Sequence, residues 1–213
     1  NVVNEAALFA VRRGSKQAET CRILISCDET KEEGCRSEFD RLIRANRAHL
    51  DKKNGLSIEE TMERIRVSDS YVMVRSPEVD ESFKDLYRAL ISDDTALMER
   101  RGVGDVPLDP MLYLFIASPN SVTPFHIDRY STFLMQFQGR KTVTVFPMFD
   151  ERVVPPEEME SFMSHSGRPT YRPESEPLAT AFDFAPGQAV HIPFMAGHHV
   201  KNGPEAVSVS MSI

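Results

Sequence analysis

The hydrophobic period changes at Met111, and that change sets the fold class. Before it, apolar residues recur at helical spacing; after it, they fall in short blocks bounded by turn residues. Strands are expected over 112–117, 124–128, 132–137, 141–146, 180–184, 189–193 and 206–213. Ser118-Pro119-Asn120 and Ala185-Pro186-Gly187 are turns between them, and Gln138-Gly139-Arg140 predicts a hairpin joining 132–137 to 141–146. Residues 147–177 are rich in Pro and Glu and read as an insertion with one short helix over 157–163. Short strands with regular turns point to a β-sandwich or jelly roll. The expected class is mainly β with N-terminal helices (α+β). Residues 1–105 would be a helical region packing on a β unit at 106–213, the two forming one structural unit.

In the first half, Phe39, Leu42, Ile43 and Leu50 give a helix over 37–50. Asn54-Gly55 is a turn, and Ser57 with Glu60 forms a capping box opening a helix through Ile65. Residues 71–74 are β-prone, and 81–101 is helical with an expected break near Ser92-Asp93-Asp94. The 25 basic and 32 acidic residues of the 213 leave a net charge of −7, which opposes nucleic-acid binding. Apolar runs stay under ten residues, so no helical membrane span is expected. Cys21, Cys27 and Cys35 form no CxxC pair and read as free thiols of a reducing cytoplasm. The chain starts at Asn1 without Met and without a signal peptide, and is expected to be a trimmed piece.

His126-Ile127-Asp128 is the first constellation with chemistry in it. On a strand these two side chains share a face and can bind one ion together. A third ligand could come from the pair His198-His199, and the pattern alone does not say which; both cannot face one pocket if the segment is extended. Two His and one carboxylate leave three octahedral positions open, as Fe(II) requires for a chelating cosubstrate and O₂. A histidine hydrogen-bonded to an aspartate in a core gives the same short pattern. His191 reads as a satisfied strand histidine, and His49 and His165 as solvated. Lys141 opens the strand after the Gly139 turn; pointing inward it would be a buried cation in need of an anion, and pointing outward an ordinary edge lysine. In the last strand Val207, Val209, Met211 and Ile213 alternate with Ser208, Ser210 and Ser212, whose hydroxyls face either water or a polar pocket.

The stretches 123–128, 133–136 and 139–147, with Pro186-Gly187 and His191-Ile192-Pro193 through Gly197-His198-His199-Val200-Lys201-Asn202, resemble the metal-binding half of JmjC/cupin-type oxygenases. In particular they resemble bacterial cupin-like JmjC proteins related to the asparaginyl hydroxylase that inhibits hypoxia-inducible factor. The resemblance covers 111–213 well and 57–75 loosely, and does not reach 1–50. It implies a double-stranded β-helix holding Fe(II) and 2-oxoglutarate, with O₂ as co-oxidant. By the same resemblance His126, Asp128 and His198 are the iron ligands, while Lys141 and Thr123 bind the 2-oxoglutarate C5 carboxylate. The sequence departs from the hydroxylase at Thr132 and Ser212, which stand where it carries asparagines near the cosubstrate, and Tyr113 only loosely matches its cosubstrate-binding tyrosine. The implied activity is hydroxylation of a protein or small-molecule substrate. The helices through which such hydroxylases often form homodimers fall outside this sequence. The rival readings are a non-catalytic metal-binding sensor of the same fold and a metal cupin that uses no 2-oxoglutarate.

Overall fold

The computed structural model describes residues 63–67 and 69–213. The expected helix over 37–50, most of that over 57–65, His49 and the three cysteines lie outside the described residues. Of the capping-box helix, residues 63–64 are described and are helical.

The described chain runs β1 (Tyr71–Arg75), a 3-10 turn (Pro77–Val79), α1 (Glu81–Arg101), β2 (Tyr113–Ala117), β3 (Val122–His126), β4 (Thr132–Gln138) and β5 (Lys141–Val145). It continues with α2 (Pro156–Met163), a second 3-10 segment (Pro173–Leu178), β6 (Thr180–Phe184), β7 (Ala189–Ile192), β8 (His198–Asn202) and β9 (Ser208–Ser212). The strands make two antiparallel sheets, one ordered β1-β2-β9-β4-β7 and the other β3-β8-β5-β6. Leu134, Val190 and Ile192 of the first sheet pack against Val143, Phe184 and Val200 of the second, so the sheets face each other across a buried layer.

The outer face of the five-stranded sheet is covered by α1. Phe83, Leu86, Tyr87 and Leu90 pack on Val72, Val74, Leu114, Ile116, Val209 and Met211. Asp80 caps the helix by accepting from Ser82 N at 3.0 Å, and Gly102 ends it at φ +65°. The expected break at Ser92-Asp93-Asp94 does not occur. Ser and Asp lower helix propensity by only a few tenths of a kcal/mol each, and no Pro or Gly interrupts the run.

Two strand expectations are corrected. Strand β3 ends at His126, so Asp128 lies beyond it. The segments 132–137 and 141–146 do not form a hairpin. β4 pairs with β7 and β9, whereas β5 pairs with β6 and β8, so the Gly139 turn carries the chain from one sheet to the other. A short glycine turn between alternating segments serves either purpose. The choice is made by partners distant in sequence that occupy both edges of each strand. β9 is buried on both faces: Val209 and Met211 lie toward α1, and Ser208, Ser210 and Ser212 lie toward the inter-sheet space.

Gly139 has φ +71°, and a Cβ there would lie 2.9 Å from the Val207 carbonyl oxygen. Gly102 shares the left-handed backbone but has open space around its missing Cβ. Gly139→Ala is therefore expected to cost about 2 kcal/mol or more, and Gly102→Ala about 1 kcal/mol. Urea unfolding checks this; equal losses would show that the sheet-to-sheet turn does not need the glycine for space.

Candidate metal centre

β8 sits between β3 and β5, with His198 opposite His126 on one side and Val145 on the other. Its alternation turns His198, Val200 and Asn202 inward, all buried, and leaves His199 and Lys201 on the other face. Beyond the end of β3, buried Ile127 anchors the chain in a cluster with Phe146, Val153 and Met195. Met195 N also donates to Asp128 O at 3.2 Å. That anchoring returns the Asp128 carboxylate to the His126 side. The alternation of residues 126–128 thus survives although the strand does not.

The three side chains meet. Asp128 Oδ2 lies 3.5 Å from His198 Nε2 and 4.0 Å from His126 Nε2, and the two imidazole centroids are 4.0 Å apart. All three offer a ligand atom within 4.8 Å of one another, as a divalent ion would need. Each histidine donates from Nδ1 to a carbonyl two residues earlier, His126 to Pro124 O at 2.8 Å and His198 to Ala196 O at 3.0 Å. Those bonds fix the tautomer and leave both Nε2 lone pairs aimed at the common point. Burial, and then the neighbouring His126, push His198 down to about 3, so it stays neutral and ligand-competent at ordinary pH. Burial raises Asp128, and His126 opposes that rise.

Lys141 points inward from β5. It is buried, and its Nζ donates to Ser210 Oγ on the facing sheet at 2.7 Å. Burial lowers its pKa to about 7. Asn202 is its cross-strand neighbour, and Gln136 is the cross-strand neighbour of Ser210. Both carboxamides are buried, and Asn202 Oδ1 and Gln136 Oε1 have no hydrogen-bond partner. Thr123 stands in one row with Val200 and Val143, on the same inward face as Lys141. The edge-lysine and water-facing-serine alternatives are thereby set aside: Lys141 is 7% exposed, and Ser210 is fully buried.

Of the remaining expected residues, Thr132 and Tyr113 line the cleft onto which His126 and Asp128 open, and Ser212 does not. Thr132 is buried, with its hydroxyl donating to Ile213 O at 2.8 Å, which leaves that oxygen free only to accept. Ser212 is buried between Tyr113 and Leu134. Tyr113 lines the cleft, its ring parallel to Phe115 and within 13° of Tyr130. His191 packs on Phe133 (4.9 Å) at the cleft wall instead of joining the cluster, and His165 is exposed at its rim. Sequence reasoning missed Tyr71 and Tyr130. Both phenols are pushed upward by burial and by the Asp128 charge, although both residues are partly exposed overall. Tyr130 stands two residues after Asp128, a spacing that could have flagged it.

The cupin-like domain family model matches residues 13–213, so this chain belongs to the cupin-like domain family. No curated protein matches it. Among solved structures it is similar to the Lactobacillus farciminis oxalate decarboxylase formate complex, at 18% identity and TM-score 0.33, over 48% of this chain and 22% of that one. It is also similar to a Bacillus subtilis oxalate decarboxylase (17% identity, TM-score 0.32, 48% and 20%). A third is Peruvianin-I, described as a cysteine peptidase from Thevetia peruviana latex (12%, 0.33, 48% and 47%). The chain spans about a fifth of the decarboxylases' length and under half of Peruvianin-I, and likenesses this distant carry no functional argument.

No helix among the described residues is long and apolar enough to cross a membrane. If His126, Asp128 and His198 hold a metal, His126→Ala is expected to abolish stoichiometric Co(II) uptake. It should change stability by no more than about 1 kcal/mol, because the ring is partly exposed. Undiminished uptake would place the metal elsewhere.

Proposed function

We propose that this chain is an Fe(II)/2-oxoglutarate-dependent dioxygenase of the JmjC-like branch of the cupins, hydroxylating a protein or small-molecule substrate. The two facing sheets would be the walls of a double-stranded β-helix, with the N-terminal helical region and the β unit acting as one body. His126 and His198 would hold the iron through Nε2 and Asp128 through its carboxylate. Two imidazoles and one carboxylate, with no thiolate among them, suit a six-coordinate divalent ion that keeps open positions. When bound, iron with 2-oxoglutarate would supply the oxidising power, one O₂ atom entering succinate and the other a substrate C–H.

The observation that carries this reading is Lys141. A lysine buried between two sheets and hydrogen-bonded to a serine hydroxyl is an unfavourable structural element. It becomes a favourable one when a carboxylate enters. Ser210 and Thr123, one from each sheet, would hydrogen-bond the same anion. Thr132, Tyr113 and Ser212 would complete the cosubstrate wall, and Tyr71 and Tyr130 would face the substrate.

The test is anaerobic binding of Fe(II) and 2-oxoglutarate followed by O₂. One succinate per site in a single exposure is the expected result. Retention of Fe(II) without 2-oxoglutarate binding would favour a sensor or a metal cupin of another chemistry. Lys141→Ala should weaken 2-oxoglutarate by at least about tenfold and leave metal binding intact; loss of both would remove Lys141 from the assigned role.

Proton linkage gives an independent check. The folded-state pKa of Lys141 is about 7, below the ordinary lysine value of about 10.4. The folded protein therefore binds fewer protons between those values, and stability without ligand should rise with pH across that window. Binding of a dicarboxylate restores the charge, so at pH 8 it should take up a proton. Calorimetry in buffers of different ionisation enthalpy reads this uptake, and Lys141→Met should eliminate it.

A further inference from the structure

The insertion between β5 and β6 returns to the metal strands at one carboxylate. Glu176 Oε1 accepts from the Tyr171 hydroxyl at 2.6 Å and from His199 Nε2 at 3.0 Å. The Tyr171 ring touches both strands: it stands edge-on to His199 at 6.2 Å and lies 5.7 Å from Phe125. His199 follows the metal residue His198, and Phe125 precedes the metal residue His126. Phe146 completes the aromatic packing, 5.3 Å from Phe125 and 6.0 Å from His199.

Two further features show why this packing matters to the centre. The pairing of β3 with β8 is irregular between Thr123 and His126, so the ladder that sets His126 opposite His198 is interrupted immediately before that pair. Behind that irregularity the packing leaves no slack: a Cβ on Gly197 would lie 2.6 Å from the Phe125 ring and 3.2 Å from Val153. A ligand set needs its donors held to about half an ångström. At this point side-chain packing on the back of the sheet reinforces the interrupted ladder.

We propose that Glu176 is a positioning residue of the metal centre. Through Tyr171 and His199 it fixes from behind the separation of β3 and β8, and with it that of the His126 and His198 Nε2 atoms. The proposal rests on the reading that His126, Asp128 and His198 hold a divalent metal and needs nothing of 2-oxoglutarate. A purely structural role, pinning the insertion to the sheet, is the alternative. The insertion also carries an ion pair wholly within itself, Arg172–Glu158 at 2.5 Å, which touches neither His199 nor Phe125 in its bonding.

The experiment loads the full chain with Co(II) and records its visible spectrum and its rate of transfer to a chelator. The melting temperature of the metal-free protein is measured beside them. Glu176→Ala is expected to lose Co(II) about tenfold faster with an altered spectrum, the size of effect seen for partners behind a ligand. Glu176→Gln, whose amide oxygen still accepts, should recover most of the wild-type behaviour. Glu158→Ala should lower the melting temperature while leaving spectrum and transfer rate unchanged. Wild-type spectrum and rate in Glu176→Ala would overturn the proposal, and so would an equal effect in Glu158→Ala. If Glu176→Ala does not fold, Tyr171→Phe, which removes one bond to the same oxygen, is read against the same two outcomes. Failure of the wild-type chain to take up Co(II) would instead refute the metal reading itself.

Discussion

The pairing of β8 between β3 and β5 is the constraint on which the rest depends. Its register sets His198 beside His126, and its alternation sends His198 to the inside while His199 goes to the back. A slip of one residue would exchange the two histidines and turn Val200 and Asn202 out of the interior. The imidazole–carboxylate cluster, the polar inter-sheet row and the contact with the insertion all follow from that one register.

The inter-sheet space is not built for stability alone. A layer of apolar residues from both sheets closes one part of it. Beside that layer lie Lys141, Ser208, Ser210, Gln136 and Asn202, all buried. Unpaired oxygens on Gln136 and Asn202, and a lysine held by one serine, each cost free energy that apolar residues of similar size would not. Departures of this kind from packing logic concentrate at sites of function. Here they gather between the same two sheets as the imidazole–carboxylate cluster.

Much of this was legible before the fold was known, because short-range pattern carries it. The β-rich second half, the helix at Glu81–Arg101, the short helix of the insertion and strand β6 follow from period and turn chemistry. The pairing of His126 with Asp128 follows from spacing, although the strand stops at His126 and buried Ile127 does the work that strand alternation was expected to do. What pattern could not supply was partner choice. The glycine turn after Gln138 reads as a hairpin, and only distant strands make it a crossing between sheets. β8 itself went unread as a strand, although inward His198, Val200 and Asn202 carry a two-residue period; the doubled histidine and the following lysine obscured it. The role of Glu176 lay beyond reach for a different reason: its bond to His199 spans 23 residues, and nothing in the composition of the insertion says which part of it returns to the sheet.

The central claim is that one ion and one dicarboxylate share this interior. Anaerobic calorimetric titration of 2-oxoglutarate tests it most directly when run on the Fe(II)-loaded and metal-free chains. The account predicts one tight site per chain with the metal and binding weakened at least about tenfold without it, since iron and Lys141 would hold opposite ends of one molecule. Equal affinity in both, or none in either, would contradict it.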